Sequence, residues 1–498
     1  MQRYLLSLDQ GTTSSRAILF TLEGSIVASS QYEFDQHYPA AGYVEHDPDE
    51  ILISQLRAVQ DVLLTADVQA GEVVAIGVTN QRETTIVWDR KTGRPVYPAI
   101  VWQCRRTAPL CEKLIEQGLE QHVRDVTGLR IDAYFSATKL RYILDHIENG
   151  QARAKRGELM FGTVDTWLIY NLTGEHVTDY SNASRTMLFD IHKLCYDPVL
   201  LQTLNIPECI LPTPLPSAHI YGRVKVGAEG LEPLWGVPVS GDAGDQQAAL
   251  FGQACFYGGQ AKCTYGTGSF LMMNTGDTPI KSEHSLLSTI AWGVGDKVEY
   301  ALEGSIFNAG SSIKWLRDEM KMIDEAHQID ELAATVDNAN GAYFVSAFTG
   351  LGAPHWDMYA RGALVGLTRD VSRAHVCRAV LEGIAYQVYD LAKTMEKDCQ
   401  RPLTVLKVDG GASVSDVMMQ FQADMLGIPV NRPRCVESTA IGAAFLAGLG
   451  VGCYKDIGEI IKLWKSEQIF MPAMNDGERE KRLYGWTRAI ERAKHWEE

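Results

Sequence analysis

The first twenty residues carry the pattern that most constrains the fold of this chain. Residues 3–20 read RYLLSLDQGTTSSRAILF, in which short apolar runs at 4–8 and 16–20 flank an acid, a glycine and four consecutive hydroxyl residues. Short apolar runs bounded by glycine and hydroxyl residues are typical of buried strands. The segment therefore predicts a β-hairpin with a polar tip.

The tip of this hairpin has the chemistry of a phosphate-binding loop. Gly11 lets the backbone approach an anion, the N–H groups of a tight turn form a nest for it, and the hydroxyls of residues 12–14 are further donors. Asp9, at the end of the first strand, is placed to hold a cation. A single tip of this kind is more often an ordinary Ser/Thr-rich turn, and the segment is not a Walker loop.

A second hairpin of the same kind follows later in the chain. Residues 261–273 are two short strands around Gly266-Thr267-Gly268-Ser269, some 255 residues after the first tip. Further on, a helix begins near Gly310, where the helix dipole favours a phosphate, and the strand 406–408 runs into VDGGA. We therefore predict one plan used twice, in domains 1–252 and 253–498.

Two other strand ends carry candidate substrate-binding and catalytic side chains. The apolar strand 73–78 ends beside Arg82 and Glu83, which can share the hydroxyls of a polyol, although a solvated ion pair is an equally good interpretation. Asp245 lies on a glycine-flanked strand-to-helix turn, which suits a general base or a metal ligand. A helix N-cap is the alternative role for Asp245, and Asp242 is its rival as base.

Aromatic residues and one proline-rich stretch complete the candidates. Trp102 and Tyr134 lie among polar residues, where an aromatic face can pack on a carbon skeleton, although isolated aromatic residues are more often core. The stretch 213–240 is rich in proline and glycine. A regulatory or interface element is one interpretation, and we expect a plain connection there.

Composition limits the partners of the chain. Its 498 residues exceed what one hydrophobic core supports, and the formal net charge is −16. Nucleic acid and anionic membranes need a basic footprint, so we expect neither as a partner. No apolar stretch approaches the ~20 residues that span a bilayer, so a cytoplasmic protein is expected. The cysteines form no CxxC pair, so we expect reduced thiols.

Two phosphate tips, an acid on each side of a cleft and the late VDGGA resemble the actin-like (ribonuclease-H-like) ATPase fold. Within it the chain resembles the FGGY carbohydrate kinases. The blocks that carry this resemblance span nearly the full chain: LDQGTTSSRA (8–17), GVTNQRETTIVWD (77–89), AIVWQCRRT (99–107), GTVDTWLIY (162–170), AGDQQAALFGQ (243–253), YGTGSF (265–270), FTGLGAPHWD (348–357) and VDGGA (408–412). The second and third blocks separate the members that phosphorylate glycerol from the pentulose kinases.

The resemblance implies an α/β protein of two ribonuclease-H-like domains with an active site in the interdomain cleft. It also implies MgATP-dependent phosphorylation of a terminal hydroxyl of glycerol, giving sn-glycerol 3-phosphate and ADP. Asp245 is then the general base, and Asp9 and Asp245 are the residues that organise Mg²⁺. The other implied residues are Arg82, Glu83, Trp102, Tyr134, Gln246 and Phe270 for glycerol, and Thr12, Thr13, Ser14, Arg16, Thr267, Gly310, Lys314, Gly411 and Ser415 for ATP.

Two positions depart from the family pattern, Lys314 where Gln is usual and Ser415 where Asn often follows VDGGA. Both are on the nucleoside side, so a strict preference for ATP is left open. Two alternatives also remain: a related FGGY sugar or polyol kinase, and a non-catalytic actin-like ATPase or interaction protein. A homo-oligomer, either dimer or tetramer, is likewise left open.

Lys314→Gln is expected to increase the ATP-to-GTP ratio of kcat/KM and to leave kcat nearly unchanged. Glutamine both donates and accepts hydrogen bonds, whereas lysine only donates and cannot accept from the adenine amino group. Steady-state kinetics with the two nucleotides measure the ratio. An unchanged ratio would mean that residue 314 does not read the base.

Overall fold

The computed structural model describes residues 3–497. The strands of the first half are β1 (Tyr4–Gln10), β2 (Ser14–Thr21), β3 (Ile26–Glu33), β4 (Glu45–His46), β5 (Val73–Asn80), β6 (Ile86–Asp89), β7 (Ala99–Ile100), β8 (Leu159–Gly162), β9 (Val177–Asp179), β10 (Phe189–Asp190), β11 (Cys195–Tyr196), β12 (Thr213–Leu215), β13 (Ala218–Arg223) and β14 (Pro238–Gly244). Its helices are α1 (Pro48–Thr65), α2 (Ala108–Glu116), α3 (Glu120–Thr127), α4 (Ser136–His146), α5 (Gly150–Lys155), α6 (Val164–Thr173), α7 (Tyr180–Ala183), α8 (Pro198–Thr203) and α9 (Asp245–Gly252).

The second half continues the same mixture of strands and helices. Its strands are β15 (Gln260–Tyr265), β16 (Ser269–Gly276), β17 (Leu287–Val294), β18 (Lys297–Ile306), β19 (Tyr343–Val345), β20 (Ala363–Val365), β21 (Val405–Asp409), β22 (Val430–Pro433) and β23 (Ser466–Phe470). Its helices are α10 (Gly310–Asp318), α11 (Gln328–Ala333), α12 (Arg373–Cys399), α13 (Asp416–Leu426), α14 (Ser438–Gly450), α15 (Ile457–Leu463) and α16 (Asp476–Ala493).

One long sheet runs through both halves, in the order β23-β22-β21-β15-β16-β18-β17-β13-β14-β5-β1-β2-β3. In the first half β1 pairs antiparallel with β2 and parallel with β5, which is itself parallel to β14. In the second half β15 pairs antiparallel with β16 and parallel with β21, which is parallel to β22. Each half therefore contains a hairpin whose first strand is followed in the sheet by two strands parallel to it. The two polar tips predict this repetition.

Both predicted hairpins are confirmed, and each has a tight turn at its tip. The Gly11 N–H donates to the Ser14 carbonyl oxygen at 2.9 Å, and the Gly266 N–H donates to the Gly268 carbonyl oxygen at 2.8 Å. These hydrogen bonds close each turn directly at the ends of its two strands.

The expectation of a plain connection over 213–240 is wrong. The strand β13 pairs antiparallel with β14 and meets β17 through one residue pair, Ala218 and Val294, so it joins the two halves into one sheet. Only Tyr221 of this strand is buried. Pairing with the neighbouring strands on both sides therefore stabilises β13. Its sequence lacks the periodic apolar pattern from which a strand is predicted.

Helix α14 joins the halves through close backbone contacts. It is buried at 10 of its 13 residues and packs against α9 and across β1, β5 and β14. A Cβ atom on Gly77 of β5 would lie 2.2 Å from the Ala443 carbonyl oxygen, and one on Gly442 would lie 1.9 Å from the Ala248 carbonyl oxygen. Glycine is needed at these positions because no side chain fits between the backbones.

Two structural findings concern the cysteines and the possibility of a membrane-spanning helix. All ten cysteines are free thiols. Within residues 3–497, no helix combines the length and the apolar character required to cross a lipid bilayer.

Gly442→Ala is expected to lower the midpoint of thermal unfolding, because its methyl group forces α9 and α14 apart. Overpacking of this kind costs about 1–3 kcal/mol. Gly477→Ala is the matched control, since the nearest atom to its Cβ position, on Asn475, is 3.6 Å away. Equal midpoints for the two variants would contradict the proposed close packing of α14.

Candidate active site

The candidate substrate end lies where two neighbouring parallel strands finish. The strands β5 and β14 run side by side, with Asn80 opposite Gly244. Because the carboxyl ends of parallel strands meet at one edge of the sheet, the residues that follow come together. The Arg82 Nε atom lies 3.1 Å from Asp245 Oδ1, so two predicted site residues form one ion pair.

Arg82 is held in one orientation by acceptors from both halves of the chain. Its Nη1 donates to Gln247 Oε1 at 3.2 Å and to Glu303 Oε2, and its Nη2 donates to Glu303 Oε1 at 3.1 Å. The Tyr134 hydroxyl lies 3.5 Å from Nη2. A two-pronged pair between a guanidinium and a carboxylate fixes the guanidinium plane, so the orientation of Arg82 at Asp245 and Tyr134 is set.

Sequence reasoning missed two members of this cluster, Arg185 and Glu303. The buried Arg185 donates through Nε to Glu83 Oε1 at 2.6 Å and through Nη2 to Glu303 Oε1 at 3.0 Å. Burial alone would raise the pKa of Glu303, but the charges of Arg185 and Arg82 outweigh it and lower the pKa to about 2. The available signal was the charge of Glu303 after the apolar run 300–302, because a charge in a buried stretch of strand needs a buried partner.

The backbone at Glu83 is strained and locally braced. Its φ of 62° is in the left-handed region, which residues other than glycine rarely adopt. The Glu83 carbonyl oxygen accepts from Ser136 Oγ at 3.0 Å and from Thr85 Oγ1 at 3.1 Å. These bonds hold the turn that places the Glu83 carboxylate beside Arg185, and its contact with a polyol stays a prediction.

An aromatic wall connects the substrate end to the first phosphate tip. The Trp102 indole N–H donates to Thr12 Oγ1 at 3.0 Å, and the Trp102 and Tyr134 rings meet edge to face with centroids 5.7 Å apart. Phe270 is half-buried on β16 in the other half of the chain. The wall is thus present on the first side of the cleft, and the packing of Phe270 on substrate stays a prediction.

The second phosphate tip touches the start of α10. The Gly310 N–H donates to the Gly266 carbonyl oxygen at 2.9 Å, and the Ser311 N–H donates to the Thr267 carbonyl oxygen at 3.0 Å. The amino end of this helix is therefore brought to the tip, although these two N–H groups already have carbonyl acceptors. Contacts of Thr267 and Gly310 with phosphate stay predictions.

The first phosphate tip ends in a charged bridge between the halves. The Arg16 guanidinium donates to Asp9 Oδ2 at 2.5 Å and to Glu437 Oε2 at 2.7 Å. Thr12 and Ser14 are half-buried and Thr13 is exposed, so their hydroxyls lie near the surface of the cleft. Contacts of Arg16 and of these hydroxyls with phosphate stay predictions.

The two rivals for the role of base have opposite environments. The Asp245 side chain is 35% exposed and accepts the Gln246 backbone N–H at 2.7 Å. The Asp242 carboxyl is fully buried, and burial, followed by the charges of Asp165 and Asp179, raises its pKa well above the ordinary value. A fully buried carboxyl does not reach a substrate, so the geometry favours Asp245 over Asp242.

The predicted nucleoside end is less closely defined. Gly411 opens a turn after β21 and has open space at its α-carbon, while Lys314 is exposed on α10. The Ser415 hydroxyl caps α13 by accepting the Met418 N–H at 3.1 Å and donates to Asp330. Ser415 therefore has a structural role, and its contact with a nucleotide stays a prediction, as does that of Lys314.

The carboxylates at the cleft fit a magnesium ion. Mg²⁺ is usually bound by one or two carboxylates together with substrate phosphates and water. Burial, followed by the like charges of Glu437 and Asp245 against the opposing Arg16, raises the pKa of Asp9, and a cation would relieve that repulsion. Over the described part of the chain, no three His, Cys, Asp or Glu side chains are grouped as a self-contained metal site.

Glu303→Gln is expected to lower the free energy of unfolding by about 3–5 kcal/mol, because removing one partner leaves buried arginine charge uncompensated. Denaturant titration measures the loss. Asp318→Asn is the control, because its pair with Arg317 is at the surface, where water and salt screen the attraction and such pairs contribute little. Similar losses in both variants would contradict the importance of the buried network.

The same variant has a predicted pH dependence. Because the pKa of Glu303 is lower in the folded chain than its ordinary value of 4.5, its contribution to stability is complete above that value and is lost as the pH falls towards about 2. The difference in stability between parent and variant should therefore narrow over this window. A constant difference would contradict the lowered pKa.

Comparison with known proteins gives consistent matches over the whole chain. Residues 4–252 match the N-terminal domain of the FGGY family of carbohydrate kinases, and residues 261–451 match its C-terminal domain. A glycerol kinase of Caldanaerobacter subterraneus subsp. tengcongensis is 56% identical over 500 residues, which cover 100% of both chains. Glycerol kinase 2 of Thermotoga maritima is 56% identical over 497 residues, or 99% of each chain.

Solved structures with the same fold include two kinases. The structure of Plasmodium falciparum glycerol kinase with ADP has a TM-score of 0.93 at 36% identity and covers 99% of this chain and 98% of that chain. A xylulose kinase of Lactobacillus acidophilus, with a TM-score of 0.86 at 24% identity over 98% of this chain and 97% of that chain, shares the fold. The chain therefore belongs to the FGGY family of carbohydrate kinases and has their two-domain, actin-like fold.

Proposed function

We propose that this chain is a glycerol kinase that transfers the terminal phosphoryl group of ATP to a terminal hydroxyl of glycerol. The products are sn-glycerol 3-phosphate and ADP. The observation that carries the proposal is the pair between Arg82 and the half-exposed Asp245, 3.1 Å apart beside the aromatic wall, in a chain whose full-length relatives are glycerol kinases.

The substrate end offers what a small polyol needs. We assign the polar contacts with its hydroxyls to Arg82, Glu83, Tyr134 and Gln246. Trp102 from one half and Phe270 from the other flank the carbon atoms. Such a narrow pocket favours glycerol over a five-carbon sugar, which is the substrate of the related kinases.

Transfer requires one proton acceptor and exact placement of two oxygens. Asp245 accepts the proton of the attacking hydroxyl, whose oxygen bonds to the γ-phosphorus while the bond from that phosphorus to the bridging oxygen breaks and ADP leaves. Phosphoryl transfer depends on positioning and charge neutralisation more than on covalent chemistry. Asp9 and Asp245 would hold Mg²⁺, which would neutralise part of the phosphate charge.

ATP extends from the phosphate tips towards the second half. The proposed phosphate contacts are Thr12, Thr13, Ser14, Arg16, Thr267 and Gly310, and those at the nucleoside end are Lys314, Gly411 and Ser415. Closure of the two halves excludes water and limits wasteful hydrolysis of ATP. We place the reaction in the cytoplasm, where ATP is available, and a dimer or tetramer stays a prediction.

Glycerol-dependent release of ADP, measured in a coupled assay, tests the proposal. Asp245→Asn is expected to lower kcat by at least ~10²–10⁴, the range ascribed to acid–base catalysis, because the amide keeps the shape and loses the basic lone pair. The binding of glycerol should change little.

A panel of polyols and pentuloses separates the alternatives. Turnover of a pentulose or a tetritol in preference to glycerol would favour another FGGY kinase. ADP release that no polyol increases would overturn the proposal. Near-normal kcat in Asp245→Asn would remove Asp245 as base.

A further inference from the structure

Lys262 is a buried cation that the reaction above does not use. It lies on β15 and its side chain has no exposed surface. Its Nζ donates to Thr264 Oγ1 at 2.8 Å and to Gln246 Oε1. Lysine is rarely buried without partners because removing an ammonium from water is costly, so its placement against Gln246 needs a reason.

Gln246 links this ammonium to the proposed base. The Gln246 Nε2 donates to Asp245 Oδ2 at 3.2 Å, and its backbone N–H donates to Asp245 Oδ1 at 2.7 Å. A carboxamide accepts on one side and donates on the other, whereas an ammonium only donates. Lys262 therefore turns the oxygen of the amide towards itself and the amide N–H groups towards Asp245.

We propose that Lys262 is a positioning residue for the general base and acts through the amide of Gln246. The Asp245 carboxylate is then fixed at both oxygens, by Gln246 at Oδ2 and by Arg82 at Oδ1, 3.1 Å away. Without Lys262 the Gln246 amide can rotate by half a turn and present its oxygen to the Asp245 carboxylate. The hydrogen bond at Oδ2 is then replaced by repulsion between two oxygen atoms. This inference rests on the proposed glycerol kinase activity.

Carboxylates on three neighbouring elements favour the charged form of Lys262. Burial lowers its pKa, and the charges of Asp409 on β21, Asp245 on α9 and Glu303 on β18 act in the opposite direction, together with the Cys263 thiol of its own strand.

The chain offers a matched control in Lys407, which lies directly opposite Lys262 on the adjacent strand. Lys407 is also buried, but its Nζ donates to the carbonyl oxygens of Gln253 at 2.5 Å and Ala254 at 3.1 Å and lies 4.1 Å from the Trp464 ring centroid. Loss of either lysine removes a buried cation, and only Lys262 contacts Gln246.

The test is a double-mutant cycle measured by steady-state kinetics with glycerol and ATP. Lys262→Met is expected to lower kcat by about tenfold to a hundredfold, the scale of a misplaced catalytic group, and to leave KM for ATP unchanged. Lys407→Met should keep the kcat of the parent. In a Gln246→Ala background, Lys262→Met should lower kcat little further, because the amide through which Lys262 acts is already absent.

Three results would overturn the inference. They are a parental kcat in Lys262→Met, an equal loss in Lys407→Met, and a loss that persists undiminished in the Gln246→Ala background. Thermal unfolding establishes that each variant is folded. If Lys262→Met does not fold, Lys262→Gln, whose head is one bond shorter and falls short of Gln246, enters the same cycle with the same expected and overturning results.

The parent enzyme separates this inference from the proposed function. A parent without glycerol-dependent ADP release overturns both. If the parent is active and Lys262→Met has the same kcat as the parent, the positioning role alone is overturned.

Discussion

The buried charge network around Glu303 is the interaction on which the substrate end depends. Arg82, Arg185 and Glu83 come from the first half of the chain, and Glu303 comes from the second. Two cations and two anions balance within a region that water does not reach, and each one would be costly to bury alone. The orientation of Arg82 is therefore set only when both halves are in place.

Features with a local chemical signature could be predicted from the sequence. The two hairpin tips were visible because glycine and hydroxyl residues interrupt short apolar runs, and Asp245 was visible because glycines flank it at a strand-to-helix turn. Arg82 was marked by its position at the end of a buried strand. In each case the neighbours along the chain determine both the structure and the chemistry.

Features that depend on distant partners could not be predicted in this way. Arg185 contacts Glu303 from 118 residues away, and nothing beside Arg185 in the sequence announces that pair. Lys262 resembles any charged residue of a strand until Gln246 is seen against it, and β13 is a strand because β14 and β17 enclose it. The burial of Asp242 likewise follows from the packing around it.

The placement of α14 has a consequence for the order in which the molecule is made. Strands β1, β5 and β14 leave the ribosome long before residues 438–450, yet α14 covers them and shares a core cluster with Leu5, Phe20 and Ala75. Domains generally fold as units during synthesis, amino-terminal part first. Here the first half keeps an apolar face uncovered until almost the whole chain has emerged, so its folding is completed by a helix that is translated near the end.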